Sequence, residues 1–263
     1  MLNKKEEIMQ MKELFNLEGE NAIVTGASQG LGKEMAIALA EVGANIAVVD
    51  INKEKGEEVV AEIKNMGRES LFIKCDVSSE KDVENMVKEV KNKFGKIDIL
   101  VNNAGIVSNF SAEEMDLKEW EKVIDIDLTG VFICAQKVGR EMIKQKKGVI
   151  VNIASMSGII VNNPQPQCHY NTAKAGVIML TKSLAAEWAK YNIRVNAIAP
   201  GYMGTDMVKR AFPKYGQNWI PLIPMGRIGE PYEIKGPIVF LCSRASSYIT
   251  GSVLVMDGGY TVW

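Results

Sequence analysis

The amino-acid sequence predicts an α/β fold, a doubly wound parallel β-sheet with helices on both faces. Three observations carry that expectation. Short apolar runs alternate with helical patterns along most of the 263 residues. The strand runs, such as NIAVV at 45–49 and GVIVNIA at 148–154, are continuously apolar, as strands covered on both faces must be. The first strand–helix junction is a glycine-rich turn. Repeated strand–helix–strand units with right-handed crossovers then build one sheet.

In chain order, Ile8, Met11 and Phe15 fall at helical spacing, so residues 1–16 read as a short extension ahead of a single domain at 17–263. Strands are expected at 22–25, 45–50, 71–75, 97–101, 148–154, 194–198 and 252–256. Helices are expected at 33–42, 53–66, 80–94, 116–144, 170–191 and 232–244. The stretch 202–224 breaks the rhythm: Gly204, Pro213, Gly216, Pro221 and Pro224 stand among Met207, Phe212, Tyr215 and Trp219. Breakers mixed with large apolar side chains suit a mobile lid over a pocket.

Composition excludes several classes. Forty-seven per cent apolar with 24% charged is globular rather than disordered. A net charge of −1 gives no general attraction to nucleic acid or anionic membranes. Cys75, Cys134, Cys168 and Cys242 are widely separated, and His169 is the one histidine, so no metal site is expected. The cysteines read as buried apolar side chains in a reducing compartment. The N-terminus has no signal-peptide core, and no run approaches the roughly 18 apolar residues of a membrane span. A cytoplasmic protein is expected.

The glycine turn, Thr25-Gly26-Ala27-Ser28-Gln29-Gly30-Leu31-Gly32, follows a strand and opens a helix. Glycines there allow a sharp turn and close approach of a pyrophosphate, and the helix N-terminus offers free N–H donors. Asp50 ends the next strand, 18 residues past Gly32. A carboxylate at that place accepts hydrogen bonds from the adenosine ribose hydroxyls and repels a 2′-phosphate. Ile51 follows Asp50, and the turn carries no Arg or Lys, so NAD is favoured over NADP. The fold is therefore expected to be of Rossmann type.

Tyr170 and Lys174 are four apart on a predicted helix, hence on one face. Tyrosine ordinarily titrates near pH 10. A neighbouring ammonium, together with an oxidised nicotinamide, favours the phenolate and fits Tyr170 for general acid–base work.

Together with Asp76-Val77, Asn102-Asn103-Ala104-Gly105, Ser155, Arg194-Val195-Asn196 and Pro200-Gly201 with Thr205, these motifs resemble the short-chain dehydrogenase/reductase family across 17–263. The resemblance implies that Tyr170 moves the proton, Ser155 binds the substrate oxygen, and Lys174 holds the nicotinamide ribose and tunes Tyr170. It implies a cofactor site at Gly26, Ser28, Gln29, Gly30, Leu31, Gly32, Asp50, Ile51, Cys75, Asp76, Val77, Asn103, Ala104, Gly105, Tyr170, Lys174, Pro200, Gly201, Met203 and Thr205. Ser157 competes with Ser155 for the serine role; the Ala-Ser-Met segment favours Ser155. Many family members carry an asparagine in the next helix as part of a proton relay. Here the matching residue is Asp127, which buried near Lys174 would pair with it.

Within the family, the segments 155–165, 185–188, 224–227 and 257–263 resemble the polyol dehydrogenases of galactitol, sorbitol and mannitol type. Sugar-acid enzymes such as gluconate 5-dehydrogenase stand nearby. Ser108, Ser157, Asn162, Gln167 and His169 could face a polyhydroxylated substrate, while Lys209, Arg210 and Lys214 in the lid could clamp an anion. A neutral polyol or ketose is the expectation. The helix bearing Tyr170 is apolar nearly all round, and the resemblance implies a homo-oligomer, expected to be a tetramer. The rival readings are a non-catalytic NAD-sensing protein and a 3-oxoacyl carrier reductase. The intact Ser, Tyr and Lys set argues against the first. Asp50 and the near-neutral charge argue against the second.

Overall fold

The computed structural model describes residues 10–263. The N-terminal nine, including Ile8 of the expected amphipathic segment, lie outside the described residues. The rest of that segment holds one short helix, α1 (Met11–Leu14), with no buried residue.

Seven strands form a single parallel sheet: β1 (Asn21–Thr25), β2 (Asn45–Asp50), β3 (Ser70–Lys74), β4 (Ile99–Asn102), β5 (Gly148–Ile153), β6 (Ile193–Pro200) and β7 (Val253–Met256). Their spatial order is β3-β2-β1-β4-β5-β6-β7. The order reverses direction between β1 and β4, and in such sheets the crevice at the carboxyl ends of those strands is where ligands bind. Successive side chains feed opposite faces: Ala22 and Val24 join one apolar layer, and Ile23 joins the other. The helices α2 (Gly30–Glu41), α3 (Lys53–Asn65) and α9 (Lys235–Cys242) pack Met35, Leu39, Ile63 and Leu241 on the first face. On the second, α4 (Glu80–Phe94), α6 (Gly130–Gln145) and α7 (Cys168–Trp188) pack Met86, Cys134, Met142 and Leu184.

Four local features differ from expectation. First, α2 begins at Gly30, three residues before the expected start. Gly26 and Gly30 have φ of +63° and +57°, which glycine tolerates, so the turn runs directly into the helix. Second, the expected continuous helix at 116–144 is α5 (Leu117–Ile124) and α6 joined by one π-helical turn at Asp125–Thr129. Third, the stretch 202–224, for which no helix was expected, contains helix α8 (Asp206–Trp219), with Pro213 inside it. One lost backbone bond is outweighed because Trp219 is 2% exposed and stacks on Tyr202 at 3.9 Å. Fourth, Cys168 is exposed at the start of α7. The other three thiols are buried as expected, and burial pushes Cys75 and Cys242 up to about 12.

The Arg194 and Asn196 side chains act structurally. Arg194 donates to the Ser243 carbonyl at 3.0 Å and Ser246 Oγ at 2.9 Å, and Asn196 donates to the Ile249 carbonyl at 2.9 Å. They tie β6 to the segment that leads into β7. Among the described residues, no helix is long and apolar enough to cross a membrane.

Candidate active site

A cleft of about 540 Å³ opens at the carboxyl ends of β1, β2, β4, β5 and β6. Every residue that the resemblance assigned to a cofactor lines it, from Gly26, Ser28, Gln29, Gly30, Leu31 and Gly32 through Asp50, Ile51, Cys75, Asp76 and Val77 to Asn103, Ala104, Gly105, Pro200, Gly201, Met203 and Thr205. Ser155, Tyr170, Lys174 and Asp127 line the same cleft.

The glycine turn is held from below by Asn103. Its amide donates to the carbonyls of Thr25 and Gly26 at 3.0 and 3.1 Å, and Thr25 Oγ1 accepts from the N–H groups of Asn103 and Ala104. A Cβ on Gly32 would stand 2.1 Å from the Gly26 carbonyl oxygen. Gly32→Ala should therefore lose dinucleotide affinity by tenfold or more, as read by equilibrium titration, because the turn must open to admit the methyl group. Gln29 makes no side-chain cap, and the first turn of α2 holds no acidic residue. Its N–H donors and positive dipole end are left for an anion. At the other end, Asp50 accepts from the N–H groups of Ser28 at 3.1 Å and Asn52 at 3.0 Å, which hold its carboxylate at the cleft wall. Asp76 accepts from the Ser78 N–H and hydroxyl at 3.0 and 2.7 Å. A tight glycine turn, an uncapped helix end and a carboxylate on the next strand fit a dinucleotide.

The chemistry sits where the π-turn meets α7. The π-turn places Asp127, fully buried, beneath Lys174. Lys174 Nζ is 3.1 Å from Asp127 Oδ2 and donates to the Ile153 carbonyl at 3.2 Å. The Ile106 N–H donates to Asp127 Oδ1 at 2.8 Å. Burial raises the Asp127 carboxyl, opposed by the Lys174 charge and the Ile106 N–H. Burial works against the Lys174 ammonium, but Asp127, with a smaller contribution from Tyr170, outweighs it and moves Lys174 upward. A Cβ on Gly105 would come within 2.7 Å of Asp127 Oδ2 and 3.3 Å of Lys174 Nζ, so only glycine leaves this pair room.

Lys174 Nζ lies 5.5 Å from the Tyr170 ring centroid. Its pull on the phenol is downward, as expected from the four-residue spacing. The net shift of Tyr170 is nevertheless upward: burial dominates, and Asp127 adds to it against Lys174 and a Ser155 hydrogen bond. In the protein alone, Asp127 opposes the lysine's effect.

The side chains expected to face a polyol are engaged elsewhere, and none of the five lines this cleft. His169 is fully buried, and Ser108 Oγ bridges it to Glu119 at 2.8 and 2.6 Å. Burial lowers His169, opposed by Glu119 and Asp127. Ser157, Asn162 and Gln167 are buried and bonded to one another. Of the lid cations, only Arg210 reaches the cleft, beside Asp206, Met207 and Val208; Lys214 lies over the Tyr215 ring at 4.8 Å. Asn52, Ile106, Ile126, Ile153 and Ala154 also line the cleft without having been singled out. All five lie within two residues of one that was, the only signal that could have found them.

A family model described as "Enoyl-(Acyl carrier protein) reductase" matches residues 26–261. A sorbose reductase of Candida albicans is 42% identical over 252 residues, covering 95% of this chain and 89% of that protein. An NADP-dependent mannitol dehydrogenase of Hypocrea jecorina is 43% identical over 256 residues, covering 96% of each. The crystal structure of a short-chain type dehydrogenase/reductase from Mycobacterium marinum superposes with a TM-score of 0.92 at 45% identity, covering 95% of this chain and 98% of that one.

Proposed function

The chain belongs to the short-chain dehydrogenase/reductase family, and from that premise we propose that it interconverts a neutral sugar alcohol and its ketose, with NAD as cofactor. The observation that carries the chemistry is the convergence of Ser155, Tyr170 and Lys174 on the cleft that begins at the glycine turn. The polyol class is supported by similarity to a sorbose reductase and a mannitol dehydrogenase, and among the described residues Arg210 and Lys174 are the cations that line the cleft.

The bound nicotinamide would accept the hydride from the carbinol carbon, or return it to the carbonyl carbon. In this reading the Tyr170 phenolate takes the substrate's hydroxyl proton during oxidation and gives it back in reduction. Ser155 donates to the substrate oxygen. Lys174 holds the nicotinamide ribose, kept in place by Asp127 and the Ile153 carbonyl. The α2 N-terminus would take the pyrophosphate, Asp76 and Val77 the adenine, and Thr205 with the Pro200-Gly201 turn the carboxamide.

The choice of NAD rests on Asp50, whose charge would repel a 2′-phosphate; the mannitol dehydrogenase relative is NADP-dependent by name. Like charges brought together in a binding site cost several kcal/mol, so wild type should prefer NAD. Asp50→Ala should shift the NADP-to-NAD ratio of kcat/KM upward by about ten- to a hundredfold, each tenfold being roughly 1.4 kcal/mol. The test of the whole reading is a screen of neutral polyols, sugar acids and simple secondary alcohols with each coenzyme, followed by nicotinamide absorbance. Turnover of sugar acids alone would sink the polyol class.

The proposal extends to assembly and place. Exposed Phe132 and Met179 on α6 and α7, at 43% and 60%, and Trp263 at the C-terminus, at 77%, are surfaces that a homotetramer would cover. Residues 17–263 would work as one dinucleotide-binding domain behind the 1–16 extension, in the cytoplasm.

A further inference from the structure

We propose that Ser157 and Gln167 are positioning residues that leave the Ser155 hydroxyl proton free to point at the substrate oxygen. This rests on the dehydrogenase reading and assigns work to side chains that do not themselves line the cleft.

A hydroxyl has one proton and two acceptor lone pairs. Ser155 Oγ accepts from the Ser157 N–H at 3.1 Å and lies 3.0 Å from Ser157 Oγ. If Ser157 donates across that second contact, both acceptor sites of Ser155 are filled, and its proton is left for the cleft side, where Tyr170 and the substrate oxygen would stand. If Ser155 donates instead, its proton is lost to the substrate. Gln167, the next partner in the hydrogen-bond network, biases the choice between these states. Gln167 Nε2 faces three acceptors, Asn171 Oδ1 at 2.9 Å, Asn162 Oδ1 at 3.2 Å and Ser157 Oγ at 3.3 Å, so its two protons serve them with one bond shared between Asn162 and Ser157. An N–H group cannot accept the Ser157 proton, and the other side-chain partner of Ser157 Oγ among the described residues is Ser155 Oγ, so the Ser157 proton turns toward Ser155.

The orientation of that amide follows from a group that can only donate. The Trp219 indole N–H donates to Gln165 Oε1 at 3.1 Å, which turns the Gln165 amide nitrogen to the Tyr202 hydroxyl at 2.7 Å. Asn162 Nδ2 donates to the same hydroxyl at 3.1 Å, which leaves Asn162 Oδ1 as the acceptor that meets Gln167. Gln165, Gln167, Asn162 and Ser157 are all less than 7% exposed, and in such surroundings a reversed amide would leave polar atoms unpaired. Hydrogen-bond polarity is thus handed from the end of α8 to the serine.

The test measures polyol oxidation and ketose reduction by wild type, Gln167→Met and Gln167→Glu. Gln167→Met should lower kcat about ten- to thirtyfold, with coenzyme affinity and the thermal midpoint within the range of conservative core changes. Gln167→Glu keeps the shape but offers acceptors. Its ketose-reduction rate relative to wild type should be low at neutral pH and should recover as pH falls, when a protonated carboxyl can donate to Ser157 again. Ser157, Asn162 and Asn171, which face the position, carry no charge, and burial raises a carboxyl placed there. A folded Gln167→Met with wild-type kcat, or a Gln167→Glu rate ratio flat with pH, overturns the inference. An inactive wild type would overturn the dehydrogenase reading itself, a different result.

Discussion

Replacing Tyr170 by phenylalanine should leave a folded protein that binds NAD as wild type does and oxidises alcohol about a thousandfold more slowly. General acid–base groups contribute about 10²- to 10⁴-fold, and this phenol lines the cleft with Ser155 and Lys174, while the Asp127 carboxylate is turned to Lys174 and the Ile106 N–H. The ring remains to fill its partly buried place on α7, and Lys174 keeps its contacts with Asp127 and Ile153, so the coenzyme should feel little change. Coenzyme titration and steady-state rates measured on the same preparation separate the two effects. A variant within threefold of wild-type kcat would remove Tyr170 from the reaction.

The second large effect concerns Asp127. Asp127→Leu strips the counter-charge from a lysine that is itself 4% exposed. Removing one partner of a buried pair costs about 3–5 kcal/mol, and for a chain of this size the melting midpoint should fall on the order of 10 °C. Asp127→Asn is gentler, because an amide oxygen can still accept from the Ile106 N–H. It tests electrostatics instead. Asp127 pushes Tyr170 upward and Lys174 pulls it downward, so removing the negative charge should lower the phenol. Alcohol oxidation needs the phenolate, and its kcat/KM rises as pH passes through that titration. The rising limb should therefore move to lower pH in Asp127→Asn. A limb that stays, or moves upward, contradicts the assignment of Asp127 as the opposing charge.

What could be read directly in the chain depended on how local its cause was. NIAVV and GVIVNIA became central strands because two-sided burial leaves its mark residue by residue. The glycine turn and the Tyr170–Lys174 spacing are likewise short-range, and their residues meet in one cleft. Pro213 and Gly216 interrupted the strand–helix rhythm and gave no helix at 202–224, yet α8 forms there, because Trp219 stacks between Tyr202 and Tyr215 and tertiary packing outweighs propensity. The polar residues expected to meet substrate illustrate the opposite limit. Loop polarity marks Ser157, Asn162 and Gln167 as hydrogen-bonding groups, but whether they bond a ligand or one another is decided by the fold. Arg210, by contrast, was one of three lid cations that composition alone could not rank.

The wide turn at Asp125–Thr129 has a consequence for how this stretch tolerates change in length. A turn of this kind is an α-helical turn with a surplus residue. The flanks stay seated, with Val123 and Val131 both buried, because the surplus is taken up locally. Excision of one position there would heal the helix and spare its packing, but a different side chain would then stand under the ammonium. Between α5 and α6, a codon gained or lost would therefore reach the site as directly as a substitution of Asp127 itself.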